Sequence, residues 1–553
     1  MAARLATILV TAIVGITLIA GLIVGAQRDD SSGPVDLIIH NARVYAADDL
    51  GTMAEAIAIR GNKILKVGSE REIMRYRRPQ TTLLDAKGAA VLPGFDDAHA
   101  SFVAGGLATD TVQLFGAVDL DEVRARVETF AASHPEATWI TGYGWSFDAI
   151  GEPTRLQLDS VVSDRPVALL SLDGGAMWLN TRALTAAGIT RRTLVKTAGI
   201  VRDRRSEPTG LLKADAMALV DRVAPKATRE DRARGLQLAI RDAQQRGITS
   251  VQDLGAFAGD LDLYDAAREA GTLGVRVYVA IRATTSPDDL DAVAHRFPDD
   301  PLLKTGLASL LLDGSVETEA AAMLAPYATR GAAEGTLTLG TDELAQRVRM
   351  LDSRGWQIAI EASGDRAVRA ALDALGPLAK AAKGDKPRRH RIEGLAVVDP
   401  EDIPRFGALG VIASMQPLQA SAAMVETWSK NVGPDRLASG WPARSLSAAG
   451  AHLAFGSGTP NLPLDPLDSV RAAVARDELQ APEQLTLKSA INGWTSGAAW
   501  ASFDEHRKGT LKPGMLADIV ILSTDIFRGP AQLESAEVVM TIFDGKVVYR
   551  RPS

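Results

Sequence analysis

A histidine stands at the end of an apolar run early in the chain, in a pattern typical of a metal-binding strand end. Residues 91–101 read Val-Leu-Pro-Gly-Phe-Asp-Asp-Ala-His-Ala-Ser, so this histidine is His99. Two histidines two residues apart at a strand end face the same way and can chelate one zinc ion, because side chains alternate with period two. The second position here is Ser101, a poor zinc ligand. The segment has the form of a zinc site but lacks part of the ligand set.

Carboxylates near the ends of several apolar runs could also perform chemistry. Asp97, Asp313 and Glu361 are the catalytic candidates among them. Several oxygen ligands together could hold Ca²⁺ or Mg²⁺, and a pair of carboxylates could act as general acid and base. Such residues more often cap helices or accept hydrogen bonds from loop amides. The sequence leaves these roles open.

Short apolar runs that alternate with helical segments must position these side chains. This alternation is typical of parallel βα units and predicts an α/β fold, a (β/α)₈ TIM-like barrel with an insertion. In such barrels the chemistry lies at the C-terminal ends of the strands. The candidate strands are residues 90–92, 167–172, 249–253, 275–281, 307–313, 357–362, 390–393, 411–415 and 452–456.

Strand-like runs at both ends of the chain predict one small β-sandwich domain that both ends build together. The predicted organisation is an N-terminal membrane or signal segment at 1–28, the first part of the β-domain at 35–88, the barrel with its insertion at 89–505, and the second part of the β-domain at 506–553.

Composition excludes several classes of function. The 553-residue chain has a net charge of −7 and no long basic run, so nucleic acid is not expected as a partner. It has no cysteine, which excludes disulfides, Cys-ligated zinc and thiol nucleophiles. The oligomeric state stays open.

The N-terminus carries a long apolar segment at residues 5–26. As a helix of roughly 33 Å it is long enough to cross a bilayer core. Arg4 precedes it, which favours an N-terminus inside and an exported body. We therefore expect an uncleaved single-pass anchor. The competing interpretation is a signal peptide cleaved after Ala26, which would make the protein secreted or periplasmic.

Six stretches of the chain, in the same order, resemble the amidohydrolase superfamily, in particular its amidohydrolase family 3 (YtcJ-like) branch. The similarity runs from about Val35 to Tyr549 and implies the barrel, the β-domain and hydrolysis of C–N bonds. The stretches are Leu92-Pro93-Gly94-Phe95, Pro208-Thr209-Gly210-Leu211-Leu212, Asp313-Gly314-Ser315, Gly364-Asp365-Arg366-Ala367, Arg389-His390-Arg391-Ile392-Glu393 and Lys508-Gly509-Thr510-Leu511-Lys512-Pro513-Gly514.

On this resemblance, the family's metal-site residues are mostly replaced. Its His-x-His pair, strand lysine, two later histidines and final aspartate fall on His99, Ser101, Ser309, Glu361, Gly394 and Gly458. Catalytic zinc needs three protein ligands and an open position for water. Only His99 and Glu361 could serve. We therefore expect no cofactor; the alternative is one divalent metal such as Zn bound by those two residues.

The resemblance also implies pocket positions. Trp145 and Trp178 fall on segments similar to the family's pocket wall, as does Trp441. A family Asp-Gly-His element reads Asp173-Gly174-Gly175, and a His-Asp pair reads Gln252-Asp253. The tryptophans could hold a ligand by apolar contact or pack in an ordinary core.

Together these patterns predict a membrane-anchored protein of amidohydrolase fold that has lost its metal site. Its expected role is ligand binding, scaffolding or regulation, with a small-molecule ligand in the barrel mouth. The alternative is an active hydrolase of C–N bonds that uses an unusual mononuclear or metal-free site around Asp97, His99 and Glu361.

Overall fold

The computed structural model describes residues 34–552 except 173, 196–198, 257–258, 295, 298–299, 330, 382–387 and 477–480. The predicted membrane segment at 5–26 and the predicted pocket residue Asp173 lie outside the described residues. Within the described part of the chain, no helix is both long and apolar enough to cross a membrane.

The strands form four sheets. In chain order they are β1 (Leu37–His40), β2 (Arg43–Tyr45), β3 (Met53–Ala54), β4 (Ala56–Arg60), β5 (Lys63–Gly68), β6 (Thr82–Asp85), β7 (Ala90–Pro93), β8 (Phe95–Ala100), β9 (Val112–Gln113), β10 (Ile140–Trp145), β11 (Val167–Ser171), β12 (Ala176–Leu179), β13 (Ile200–Arg202), β14 (Pro208–Lys213), β15 (Ile248–Asp253), β16 (Arg276–Arg282), β17 (Leu303–Leu311), β18 (Gln357–Ala362), β19 (Arg391–Gly394), β20 (Ile412–Met415), β21 (Leu453–Phe455), β22 (Ile519–Leu522), β23 (Val538–Phe543) and β24 (Lys546–Arg550).

Helices connect and cover these strands. In chain order they are α1 (Glu70–Ile73), α2 (Phe102–Thr109), α3 (Leu120–Ser133), α4 (Phe147–Ile150), α5 (Arg155–Asp159), α6 (Thr181–Ala186), α7 (Ala218–Asp221), α8 (Arg229–Gln245), α9 (Asp260–Glu269), α10 (Pro287–Ala294), α11 (Thr341–Ser353), α12 (Asp365–Ala381), α13 (Ile403–Leu409), α14 (Ala422–Val432), α15 (Ala443–Ala448), α16 (Pro466–Val474), α17 (Leu487–Gly493), α18 (Ser496–Ala501) and α19 (Pro530–Glu534).

The central sheet has eight strands, in the order β8-β15-β16-β17-β18-β19-β20-β21, and neighbouring strands run parallel. The chain just after β21 returns to β8. Gly458 N donates to His99 O and Ser101 N donates to Thr459 O, both at 2.8 Å. These bonds join the two edges, so the predicted α/β class and parallel TIM-like barrel are confirmed.

The first barrel strand was wrongly placed at residues 90–92. That run is β7, which belongs to the terminal β-domain, and the barrel begins with β8. The chain changes sheets at Gly94, where a Cβ would lie 2.3 Å from the Thr249 hydroxyl oxygen. The apolar run was the more obvious strand, because β8 carries polar residues that face the interior of the barrel.

An insertion separates β8 from β15. Its sheet has the order β13-β14-β12-β11-β10-β9. The candidate barrel strand at 167–172 corresponds to β11 in this sheet, so its assignment to the barrel was also wrong. Buried strands of either sheet give the same short apolar run, which is why the pattern could not separate them.

Both ends of the chain build the remaining two sheets. One has the order β5-β4-β1-β6, and the other has the order β24-β23-β22-β7-β2-β3. In the second sheet β22 pairs with β7 and therefore joins the C-terminal strands to the N-terminal ones.

A buried arginine fastens this β-domain to the N-terminal end of the barrel. Arg276 begins β16 and is 5% exposed. Its Nε lies 2.7 Å from Asp518 Oδ2, and its Nη2 lies 2.9 Å from Asp544 Oδ1. The two carboxylates lie beside β22 and in the turn between β23 and β24, so one side chain holds two domains.

Arg276→Met is expected to lower the free energy of unfolding by about 3–5 kcal/mol, because it leaves the Asp518 carboxylate buried and unpaired. Arg296→Met is the matched control, since Arg296 also pairs with two aspartates, Asp262 at 2.8 Å and Asp265 at 3.0 Å, but is itself 36% exposed. The control should cost at most about 1 kcal/mol. Denaturant titration of both variants measures the difference, and equal losses would contradict the role of Arg276.

Candidate functional site

The inherited metal-site positions lie at the C-terminal ends of the barrel strands or just beyond them. Glu361 is the register partner of Glu393 across β18 and β19, and Gly394 ends β19. Ser309 pairs with Ala359, two residues before Glu361, and so lies one layer deeper in the barrel. Gly458 contacts His99 through its backbone, and Ser101 precedes α2. The structure therefore brings these positions to one end of the barrel.

His99 is held by a carboxylate from another strand. Its Nδ1 lies 2.9 Å from Glu393 Oε2. The Glu393 side chain is fully buried, whereas that of His99 is 17% exposed. A histidine held through one ring nitrogen has its orientation fixed, and the other nitrogen, Nε2, is left to meet a ligand or a proton.

Arg391 neutralises Glu393 inside the barrel. The Arg391 Nε donates to Glu393 Oε1, and neither side chain is exposed. Burial alone would raise the pKa of Glu393, but the charge of Arg391 and the hydrogen bond from His99 outweigh it and lower the pKa to about 2. Burial likewise tends to lower the pKa of His99, yet the hydrogen bond and charge of Glu393 produce a net increase.

The polar contacts continue from Arg391 toward the C-terminal part of the chain. Arg391 Nη1 donates to Gln252 Oε1, and Gln252 Nε2 lies 3.4 Å from Asp96 Oδ1. Asp96 Oδ2 in turn lies 2.8 Å from Lys508 Nζ. Gln252 is fully buried in this network, so it does not line an open pocket as the sequence predicted.

Glu361 is a further carboxylate at the mouth, the C-terminal end of the barrel. Its side chain is partly exposed, and its carboxylate makes no hydrogen bond or ion pair with the described residues. Burial raises its pKa, the positive charge of His99 opposes that increase, and Glu393 adds to it. Glu361 and His99 are therefore an acid and a base whose charges influence each other, and Glu393 raises the pKa of both.

Asp97 is buried beneath the mouth. Its Oδ1 accepts hydrogen bonds from the backbone of His99 at 3.0 Å and of Ser457 at 2.9 Å. Its Oδ2 has no hydrogen-bond partner among the described residues. Burial raises the pKa of Asp97 to about 6 despite those two bonds. The carboxylate joins β8 to the segment after β21.

Asp313 organises loops. Its Oδ1 accepts from Ser363 N at 2.9 Å, and its Oδ2 accepts from Gly364 N at 2.9 Å and Ala322 N at 2.8 Å. Both oxygens are therefore used by backbone amides. The sequence proposed Asp313 as a catalytic candidate; the structure gives its carboxylate three backbone donors from two loops.

Two glycines at the mouth have backbone conformations that disfavour side chains. Gly394 has a φ of +90° and Gly458 has a φ of +75°. A residue with a Cβ is strained in this region, so a histidine or an aspartate at these positions would require the backbone to move. The backbone at these two positions therefore disfavours a ligand side chain.

The donor set at the mouth does not fit a catalytic zinc ion. Glu393 occupies His99 Nδ1, which leaves His99 Nε2 and the Glu361 carboxylate as donors. Zinc catalysis needs three protein ligands. In the described ranges no group of three or more histidines and carboxylates is arranged to hold a metal.

The tryptophans predicted to line the pocket are core residues. Trp145 and Trp178 are almost fully buried in the insertion sheet, with ring centroids 6.2 Å apart. Their indole nitrogens donate to the carbonyls of Leu169 and Thr154, both at 2.9 Å. Trp441 is also buried and packs on Trp428 at 4.6 Å. Of the two alternatives that the sequence left open for these tryptophans, their burial and packing favour an ordinary core.

Residues 82–549 match the model of the amidohydrolase family, specifically family 3. The chain belongs to this family. It is 32% identical to the protein LONG AFTER FAR-RED 3 of Arabidopsis thaliana over 537 residues, which cover 93% of this chain and 91% of that protein. It is 28% identical to the putative amidohydrolase YtcJ of Bacillus subtilis strain 168, over 93% and 99% of the two chains.

A crystal structure with the same fold comes from an archaeon. It is that of an uncharacterized metal-dependent hydrolase from Pyrococcus horikoshii OT3, with a TM-score of 0.72 and 24% identity. The match covers 88% of this chain and 97% of that chain. At this identity the likeness establishes the fold of the amidohydrolase-family chain and nothing about its reaction.

Sequence reasoning missed the most buried part of this amidohydrolase-family site. Arg391 and Glu393 were used only as a motif, and Asp96 and Lys508 were not considered. The available signal was local: β19 alternates Arg391, Ile392 and Glu393, so two opposite charges face the barrel interior of an otherwise apolar strand. Charges that face inward in this way require partners.

Asp97→Asn is expected to reduce the pH dependence of stability. Burial raises the pKa of Asp97 from 3.8 to about 6, so the folded state binds the proton more tightly than the unfolded state. Stability should therefore decrease as pH rises from about 4 to about 6 and then level off, by at most roughly 3 kcal/mol. Asparagine cannot ionise, and its Oδ1 can still accept both backbone hydrogen bonds.

Melting temperatures at about pH 4 and about pH 8 measure the effect of this substitution. The variant should gain stability relative to the natural protein at the higher pH, and the gain should shrink at the lower pH. An equal difference at both values would show that Asp97 does not titrate in this range.

Proposed function

We propose that this member of the amidohydrolase family does not carry out metal-dependent hydrolysis and that its barrel mouth binds a small-molecule ligand in a scaffolding or regulatory role. The observation that carries the proposal is the donor set. His99 Nε2 and Glu361 are the two ligand-type groups left at the inherited positions, and Gly394 and Gly458 have backbones unsuited to a ligand side chain. Such a set offers zinc too few ligands.

The retained mouth supports a binding role. Leu311, the last residue of β17, is 56% exposed although it pairs with Glu361 inside the barrel wall. Exposure of an apolar residue at this position means that solvent reaches the C-terminal end of the barrel. An apolar surface with an acid and a base beside it is suited to a small polar ligand.

A second candidate function is hydrolysis of C–N bonds without a metal. The contact between His99 Nδ1 and Glu393 favours it, because a carboxylate that orients a histidine makes the other ring nitrogen a general base. An assay panel of amides and cyclic amides in the presence of chelator distinguishes the two. Turnover that disappears in His99→Gln would support the second candidate and overturn the first.

Zinc binding is expected to appear when donors are restored. The protein should bind well under one equivalent of Zn²⁺, whereas Ser101→His combined with Glu361→His should bind one, since three histidines then meet the ligand requirement. This pair avoids the positive-φ glycines. The control combines Ser101→Ala with Glu361→Ala. Isothermal titration with Zn²⁺ measures both, and stoichiometric binding by the unaltered protein would overturn the first proposal.

We further propose that residues 5–26 anchor the protein in a membrane with the body exported. The support is the uncharged apolar segment with Arg4 before it. The full chain is expected to remain in the membrane fraction through high-salt and carbonate washes, and a version that begins at Ser31 should be released. A mature N-terminus at Gln27 would instead show a cleaved signal peptide.

A further inference from the structure

A cavity lies at the N-terminal end of the barrel, opposite the end that carries His99. It has a volume of about 300 Å³ and is lined by the N-terminal parts of β16, β17 and β18 and by the segment after α18. Its walls include Tyr278, Trp356 and Phe503. This volume is at the lower end of the range for small-molecule sites, so the cavity can hold one small ring and its substituent.

A glycine forms part of the cavity wall. Gly306 lines it with a φ of +117°, and a Cβ there would lie 3.7 Å from the Tyr278 hydroxyl oxygen. The ladder between β16 and β17 shifts register between Tyr278 and Ala280, beside this glycine. The bulge separates the two strands at the point where the cavity enters the wall of the barrel.

The lining is positively charged. Arg354 and Arg388 both line the cavity, and none of its described lining residues is acidic. Each arginine has one carboxylate partner outside the lining, Asp291 at 3.4 Å and Asp352 at 3.0 Å. Their side chains are 35% and 46% exposed, so each guanidinium keeps donors available. An anion that entered would face two cations and no like charge.

The aromatic walls supply apolar surface and one further donor. Trp356 is 1% exposed, and its indole N–H has no hydrogen-bond acceptor among the described residues. A buried donor of this kind is rare unless a water or a ligand satisfies it. Phe503 is 38% exposed, and Arg389 Cζ and Lys304 Nζ lie 4.7 Å and 5.7 Å from its ring centroid. Ring faces and donors therefore occur together in one small space.

We propose that this cavity binds a small aromatic carboxylate. The ring lies against Tyr278, Trp356 and Phe503, and the carboxylate is bound by Arg354 and Arg388. Arginine suits this role because its planar fork matches the two oxygens of a carboxylate. The site lies at the opposite end of the barrel from the mouth and does not depend on the function proposed for it.

Calorimetric titration of the full chain tests the proposal with three probes: benzoate, benzyl alcohol and acetate. Benzoate should bind more tightly than the other two, since it alone combines ring and charge. Arg388→Gln and Arg354→Gln should each weaken benzoate binding by about tenfold, because each removes a charge-assisted hydrogen bond. Trp356→Phe should weaken it less, since it removes one neutral donor and keeps the ring.

Arg528→Gln is the matched control. Arg528 also has a single carboxylate partner, Asp525 at 3.5 Å, but lies in the β-domain, so benzoate affinity should not change. Equal affinity for benzoate and acetate would show a simple anion site and overturn the aromatic assignment. Unchanged binding in both Arg388→Gln and Arg354→Gln would overturn the location, as would loss of binding in His99→Gln alone.

Discussion

The buried ion pair between Arg391 and Glu393 is the constraint on which the barrel interior depends. Moving two such charges out of water costs several kcal/mol per ion unless partners compensate for it. The compensation comes from three other strands, since Arg391 and Glu393 belong to β19 and their other partners lie on β8, β15 and β20. These partners are Ala98 O, His99, Gln252 and Ser414. Satisfying one ion pair therefore fixes the relative positions of strands that are far apart in the sequence.

The same network explains how the C-terminal return of the chain meets the barrel. Gln252 accepts a hydrogen bond from Arg391 and donates one to Asp96. Asp96 pairs with the buried Lys508, which lies in the segment that leads from the barrel to the C-terminal strands of the β-domain. Arg276, on barrel strand β16, likewise pairs with Asp518 of the β-domain. The β-domain is therefore joined to the barrel through buried charges, which are costly to separate, as well as through apolar packing.

The sequence predicted the barrel because most of its strands are buried on both faces and read as short apolar runs. It failed at β8, where Asp96, Asp97 and His99 interrupt that pattern and make the neighbouring run at 90–92 look more like a strand. It also could not separate β11 of the insertion from a barrel strand. Periodicity reports burial, and both sheets bury their strands. Which sheet a strand joins is decided by long-range pairing.

At the candidate site, too, local patterns predicted single residues but not the long-range contacts between them. Spacing within one motif identified His99, but its partner Glu393 lies 294 residues further along the chain, and no local pattern predicts that contact. For Trp145 and Trp178 the local context fits a pocket wall and an ordinary core equally well, and the packing of the insertion favours the core. The positive φ of Gly394 and Gly458 is a property of the folded backbone and was likewise not predictable.

The electrostatics of the mouth depend on which charged side chains lie there. A divalent ion brings two positive charges that can balance carboxylate ligands. Without an ion, an aspartate at position 458 would share the mouth with Glu361, and each carboxylate would disfavour ionisation of the other. Glycine at 458 removes that repulsion. The remaining acid, Glu361, then faces one base, His99, whose own charge favours the ionised form of Glu361. An acid and a base that balance each other in this way are electrostatically stable without a bound ion.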